Sequence, residues 1–270
     1  MDFDDIARRG LVILGCGKMG SALLEGWLAG GLDPRSVCVV EPQPSDWLAA
    51  QGVGLNEALP EGAAVVLLAV KPQMMGEALP QVRGAVGKGT LVISIAAGTP
   101  LAAFEAAFGA ATPIVRAMPN TPAAVGRGMS ALVGNAAAGP ADLDLAEALM
   151  SAVGATVRLE DEDQINAVTA LSGGGPAYVF HLIEAMAAAG VAQGLAPDLS
   201  MKLARATVCG AGELAHRSED SAEQLRINVT SPGGTTAAAL AHLMDGDTGL
   251  LPLVERAVAA ATARARELAG

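Results

Sequence analysis

The chain has 270 residues, enough for two domains and a sizeable core. Its formal net charge of −11 argues against nucleic acid or an anionic membrane as a partner. Half of it is apolar but only 3% is aromatic, a balance that suits helices packed closely over small side chains.

Asp2, Asp4 and Asp5 precede the first apolar run, so the basic start of a secretory signal is missing. The run Leu11, Val12, Ile13 and Leu14 reads as a buried strand, and Gly15, Gly17 and Gly20 follow it in the G-x-G-x-x-G spacing. Gly15 permits a tight turn, Gly17 lets the backbone approach a pyrophosphate, and Gly20 lets the next helix pack on the strand. That helix is expected from Ser21, with Leu23, Leu24, Trp27 and Leu28 on one face. Its free N–H groups and dipole would hold the anion. A second apolar run over 37–40 ends at Glu41, about twenty positions after Gly20, where a dinucleotide-binding βαβ unit places the acid that bonds the adenosine ribose.

A helix around 47–50 and a short strand near Val53 lead to Asn56, and 57–62 reads as a short helix or turn. Residues 63–70 form an unbroken apolar run, the sign of a parallel strand covered on both faces. It ends at Lys71 and Pro72, where a ligand of an open α/β sheet would lie. The strand over 90–95 ends likewise, in Ala96, Ala97 and Gly98, small residues that let a flat ring approach the backbone. Strands are expected near 114 and over 129–133 and 156–159, the last able to close the sheet, with a helix over 140–153. The acidic patch 160–163 marks a boundary and suits a helix start.

Beyond it the strand signals vanish. Helical patterns cover 165–172, 177–190, 199–217, 222–227, 236–246 and 250–268. The chain is thus an α/β protein, with a Rossmann dinucleotide-binding domain over 1–160 and an all-helical domain over 161–270. Residues 177–196 contain His181, Glu184, Gln193 and two glycines, which suits a buried helix better than a membrane span. A soluble, cytoplasmic protein is expected, and a long alanine-rich helical half without a clear polar face points to a dimer built from it. Cys16, Cys38 and Cys209 form no C-x-x-C pair, so neither a disulfide framework nor a metal site is expected. Cys16 and Cys38 read as small buried hydrophobes.

Two interruptions of the helical half stand out, at 172–178 and 230–236. The second places hydroxyls and backbone N–H groups at a helix start near Thr235. A carboxylate site and an ordinary Ser/Thr cap after a glycine turn describe it equally well.

Six segments in order, the glycine turn, 69–73, 94–98, 116–122, 170–178 and 229–236, give the chain a resemblance to the pyrroline-5-carboxylate reductases that runs nearly end to end. The resemblance implies a Rossmann domain followed by a helical dimerisation domain, an active site formed across the dimer, and assembly up to a decamer. It implies NADPH or NADH as cofactor, contacted by Gly15, Gly17, Lys18, Met19, Asn56, Ala69, Val70, Lys71, Pro72, Ala96 and Ala97, with Asn228 near the nicotinamide; Gly20 and Glu41 join these candidates from the glycine spacing and the βαβ pattern alone. It places the substrate, 1-pyrroline-5-carboxylate, on Glu162, Glu219, Thr235 and Thr236, and so turns the 230–236 loop into a carboxylate site, to which the loop's own hydroxyl and N–H groups add Ser231 and Gly234 as candidates.

Reduction of a protonated cyclic imine needs orientation more than a strong acid. Thr236 is assigned to the ring nitrogen or carboxylate and Glu219 to favouring the iminium, while His181, His216 and His242 read as structural or surface residues. Three positions depart from the resemblance: Lys18 stands where many members carry Asn, Gly174 replaces a serine, and Glu41 stands where members preferring NADPH have small polar or basic residues. A carboxylate there repels a 2′-phosphate, so use of or preference for NADH is expected. A β-hydroxyacid-type dehydrogenase would need a catalytic lysine in the helical half, where Lys202 stands alone without that motif. A dinucleotide-binding protein without turnover would have no need of a second anion site.

Overall fold

The computed structural model describes residues 3–269, so Asp2 lies outside the described residues. The chain divides into two compact units, Met1–Gly173 with Ala261–Gly270, and Gly174–Ala260.

The first unit opens with α1 (Asp4–Arg9) and β1 (Leu11–Leu14), and the glycine turn passes directly into α2 (Lys18–Ala29). The helix thus begins at Lys18 rather than at the expected Ser21. Gly20 inside the first turn costs about 1 kcal/mol in propensity, which the burial of Leu23, Leu24 and Trp27 on one face outweighs. There follow β2 (Val37–Val40), α3 (Asp46–Ala49), β3 (Gly54–Leu55), β4 (Val65–Leu68), α4 (Met75–Val82) and β5 (Leu91–Ser94). Then come α5 (Leu101–Phe108), β6 (Ile114–Met118), β7 (Gly128–Gly134), α6 (Pro140–Ser151) and β8 (Gly154–Arg158).

The strands form one sheet in the order β3-β2-β1-β4-β5-β6-β7-β8. The first six are parallel, β7 runs antiparallel to β6, and β8 pairs parallel with β7 at the far edge. The chain winds outward from β1 to β3 and returns to the other side of β1 with β4. That reversal opens a crevice at the carboxyl ends of β1 and β4.

Strands β1, β4 and β5 are buried at every position, as continuous apolar runs require. Their residues alternate between two cores. Leu11 and Ile13 join Leu23, Trp27 and Leu149 on one face; Val12 and Leu14 join Val66, Met75 and Phe104 on the other. The Trp27 indole N–H donates to the Leu149 carbonyl at 2.8 Å, so the ring is fully buried with its polar edge satisfied.

After the acidic patch, α7 (Gln164–Val168) runs into a π-helical turn, Thr169–Gly173, which is the form taken by the interruption expected at 172–178. Asn120 Nδ2 donates to the carbonyl and to Oγ of Ser172, each at 3.2 Å. A Cβ on Gly173 would lie 2.7 Å from Met118 Cε, so the turn is seated against the loop after β6.

The second unit holds α8 (Gly175–Ala192), α9 (Pro197–Arg217), α10 (Ala222–Asn228), α11 (Thr235–Leu243) and most of α12 (Leu250–Ala269). Helices α8 and α9 meet at Gly190, whose missing side chain leaves room for Ser200, and Ser200 Oγ donates to the Ala187 carbonyl at 2.7 Å. The expectation of a buried helix over 177–196 is corrected here. Among the described residues of this unit only Ala187, Ser200, Ala204 and Gly249 are buried, and Phe180 on α8 is 62% exposed. The apolar pattern is real, but among the described residues of this unit that face of α8 stays exposed. Among the described residues one stretch, Gln164–Ala192, is long and apolar enough to cross a membrane.

Candidate functional site

The three glycines of the first turn do three different things. Gly15 takes φ 85°, and a Cβ there would lie 2.7 Å from Val70 Cγ1, so this glycine holds the turn against the end of β4. A Cβ on Gly20 would lie 2.8 Å from the Gly15 carbonyl oxygen, so its absence lets α2 close onto the turn. Nothing lies within 4 Å of a Cβ on Gly17. That open space sits over the first turn of α2, whose leading N–H groups have no acceptor within the helix. Lys18, exposed at the first helical position, adds a cation to the same place.

A cleft of about 590 Å³ adjoins the turn, lined among others by Gly17, Lys18, Ser21, Glu41, Gln43 and Trp47. Open backbone, outward N–H groups and a flanking cleft together fit a dinucleotide with its pyrophosphate on the helix end. Glu41 does not point into solvent. Its Oε2 accepts from the Cys16 N–H at 2.8 Å and its Oε1 from the Gln43 N–H at 3.0 Å. Asn56, in the left-handed region at φ 54°, grips the Glu41 backbone: Oδ1 accepts from its N–H and Nδ2 donates to its carbonyl, both at 2.9 Å. Burial raises the pKa of the Cys16 thiol above 9.0; the Ser21 hydrogen bond opposes this and the Glu41 charge adds to it. Cys16 is a packed thiol under the turn, as expected; Cys38 is half-buried and Cys209 exposed.

Strands β4 and β5 deliver the second part of the crevice. The Ala69 N–H donates to the Leu14 carbonyl at 2.8 Å, and Lys71 and Pro72 emerge exposed. Ala96 is buried and Ala97 half-buried. Pro72, Gln73, Ala97, Gly98 and Thr99 line a second cleft of about 530 Å³, bounded by Thr169, Ala265 and Leu268. Gly98 takes φ 76°, and the Leu268 carbonyl lies 3.2 Å from where its Cβ would be, so the end of α12 rests on the loop after β5.

Glu162 has two partners in the first unit. Its Oε1 accepts from Arg116 Nη1 and from the Leu101 N–H, both at 2.8 Å. It therefore caps α5 and neutralises Arg116, which is only 4% exposed within β6. Sequence alone assigns Arg116 no role beyond its place in the 116–122 segment. Its signal was a guanidinium inside an otherwise apolar strand. The helix start expected at the acidic patch is present, although Asp163 at the head of α7 makes no cap to the backbone and instead accepts from Asn166 Nδ2 at 3.1 Å.

In the second unit, Ser221 caps α10 by accepting from the Gln224 N–H at 3.1 Å. Asn228 at its end accepts from Gln224 Nε2 at 2.7 Å and donates to Asp220 at 3.4 Å, tying the segment that carries Glu219 to the end of the helix. The Gly234 N–H closes a turn onto the Ser231 carbonyl at 3.0 Å, with Gly233 at φ 68°. The residue at the head of α11 is Gly234, with no side-chain cap, so an ordinary Ser/Thr cap is not what the loop builds. Thr235 and Thr236 occupy the first turn of α11, beside its outward N–H groups. His181 pairs with Glu184 at 3.1 Å on an exposed face of α8, and Lys202 lies on α9 beside Asp198 and Arg205.

Residues 162–268 match the family model described as pyrroline-5-carboxylate reductase dimerisation, and residues 10–98 match the one described as NADP oxidoreductase, coenzyme F420-dependent. A pyrroline-5-carboxylate reductase of Pseudomonas aeruginosa is 40% identical over 265 residues, spanning 96% of each chain. Among solved structures, a pyrroline-5-carboxylate reductase of Coxiella burnetii superposes with a TM-score of 0.89 at 37% identity, covering 97% of this chain and 99% of that one. The Plasmodium falciparum pyrroline carboxylate reductase with NADP bound gives a TM-score of 0.80 at 28% identity, with 98% and 99% coverage.

Proposed function

The chain belongs to the pyrroline-5-carboxylate reductase family, and from that membership we infer that it reduces 1-pyrroline-5-carboxylate to L-proline with NAD(P)H, the last step of proline biosynthesis. The observation that carries this reading is the match over 96% of the chain, because it takes in the glycine turn and the 230–236 loop together.

Bound NAD(P)H would supply the hydride. The chain's own residues hold and orient. The turn at Gly15, Gly17 and Gly20, with Lys18 and Met19, receives the pyrophosphate on the end of α2. The segment 69–72 and the small Ala96 and Ala97 receive the nicotinamide half, with Asn228 as a further proposed contact. In the helical unit, Ser231, Gly234, Thr235 and the N–H groups of α11 receive the substrate carboxylate. Thr236 bonds the ring nitrogen or carboxylate, and Glu219 favours the protonated imine. Glu162 already engages one oxygen with Arg116 and Leu101, so its proposed substrate contact falls to the other. Hydride adds to the imine carbon and the nitrogen keeps its proton, so holding the reactants in contact geometry supplies the acceleration.

The family's dimerisation segment makes the protein a homo-oligomer through its C-terminal half. We propose further that dimers assemble toward a decamer, a step resting on family resemblance alone, and that the enzyme works in the cytoplasm without membrane attachment. The net charge of −11 supports the last point, and a second copy covering α8 accounts for its apolar face. For function we divide the chain at 160/161, grouping Glu162 with the substrate-binding half.

The test is consumption of NADH or NADPH, in separate assays, with 1-pyrroline-5-carboxylate and detection of L-proline. Turnover with at least one cofactor, lost in Thr236→Val, is expected. No turnover with either would leave a dinucleotide-binding fold without this activity.

A further inference from the structure

The cleft beside the glycine turn holds an acid that is fixed rather than free to swing. Both oxygens of Glu41 accept backbone N–H groups, from Cys16 at 2.8 Å and Gln43 at 3.0 Å. Its own backbone is held on both sides of its Cα by Asn56, which accepts from the Glu41 N–H and donates to the Glu41 carbonyl. Asn56 can do this because it adopts φ 54°, a left-handed conformation that asparagine tolerates better than most residues. Turning Glu41 away would strip the Cys16 N–H of its acceptor at the base of the turn.

The charged residues lining the cleft are Lys18, Glu25 and Glu41, and no arginine is among them. Lys18 stands at the first position of α2, where a pyrophosphate would claim it. Among the residues lining the cleft no second cation is then left for the adenosine end, where Glu41 stands at the end of β2. A ribose 2′-hydroxyl can donate to a carboxylate already oriented by backbone donors. A 2′-phosphate in the same place brings about two more negative charges against Glu41, and like charges at that range oppose binding.

We propose that Glu41, positioned by Asn56, makes this cleft select the dinucleotide with a free ribose 2′-hydroxyl, NADH over NADPH. The proposal rests on the function assigned above and names the cofactor of that same site. Asn56 acts in it as a positioning residue.

The experiment is calorimetric titration of the purified full chain with NADH and with NADPH, alongside reductase assays. NADH is expected to bind about tenfold or more tightly. Raising the salt concentration should narrow the gap, because the pyrophosphate attraction is common to both ligands while the 2′-phosphate repulsion is screened. Glu41→Gln keeps an oxygen to accept from Cys16 but removes the charge, and should bring the two affinities to within about threefold. Asn56→Ala should reduce the same ratio, whereas a general loss of stability would weaken both dinucleotides alike and leave the ratio unchanged. Equal or tighter binding of NADPH by the wild type overturns the proposal. So does a gap that widens with salt, a result obtainable even if a variant fails to fold. Turnover of 1-pyrroline-5-carboxylate with a preference for NADPH would sink this inference and leave the function standing; failure to bind either dinucleotide would sink both.

Discussion

Glu162 shows how one carboxylate oxygen can join two parts of the first unit. It accepts from the buried guanidinium of Arg116 and from the first N–H of α5, across a wide gap in sequence. Removing it strands a cation that is 4% exposed, so Glu162→Ala should lower unfolding stability by about 3 kcal/mol. Glu162→Gln keeps an acceptor for Leu101 and should fall between. Denaturant unfolding of the three proteins measures this, and a wild-type midpoint in Glu162→Ala would mean that the pair holds nothing. Cys16 carries a different residue-scale expectation. Burial raises its thiol pKa above 9.0 in the fold, so the unfolded chain gives up that proton at lower pH than the folded one. The resulting stability is complete below pH 9 and is lost as pH rises through the folded value. Thermal midpoints should therefore fall less steeply above pH 9 in Cys16→Ala than in the wild type; parallel curves would remove the thiol from the account.

At the scale of elements, the strand, turn and helix over 11–29 show which features a sequence carries openly. A buried parallel strand is an unbroken apolar run, and β1, β2, β4 and β5 were legible for that reason, as were the glycine spacing and Glu41 at the end of β2. The start of α2 was not. Glycine reads locally as a breaker, whereas here contacts between distant backbones fix its place: Gly20 lies inside the helix because a Cβ would meet the Gly15 carbonyl at 2.8 Å. The same geometry separates two substitutions. Gly17→Ala points a methyl into open space and should leave stability unchanged while weakening dinucleotide binding by about tenfold or more. Gly20→Ala must push α2 off the turn and should cost about 1–3 kcal/mol of stability. Thermal unfolding and cofactor titration on both variants distinguish them; matching losses in both would deny the turn its division of labour. Helices α4 and α5 gave no comparable signal, since Pro80 interrupts the first and alanines blur the faces of the second. The Glu41–Asn56 clasp was legible only as two separate residues, because which groups Asn56 bonds depends on a backbone conformation that spacing does not encode.

At the scale of the whole molecule, the two units are stabilised in different ways. The first has a twisted sheet with a dense core on each face. Among the described residues of the second, only Ala187, Ser200, Ala204 and Gly249 are buried, and α8 shows Val179, Phe180, Leu182 and Met186 to solvent. With so few buried residues, this unit on its own has little apolar burial to set against the conformational entropy of ordering its backbone, about 1–2 kcal/mol per residue. We expect its folding to be coupled to association, which for a dimerisation segment means a second copy of the same chain. The sequence shows that these helices are apolar without showing whether intrachain or interchain contacts cover them, and for that reason α8 was expected to be buried within one chain. Phe180, 62% exposed, is the aromatic anchor this reading points to. Phe180→Glu places a charge in the covered face and should weaken association by about thirtyfold or more. Sedimentation should then show monomer, circular dichroism should lose helix as the protein is diluted, and reductase activity should fall with the oligomer. Titration with NADH should still show binding, weakened only by loss of the proposed Asn228 contact, because the glycine turn, Glu41 and Asn56 belong to a unit with its own core. An oligomer of wild-type size and activity would exclude this face of α8 from the interface. Loss of NADH binding along with the oligomer would mean that the first unit does not hold the dinucleotide alone.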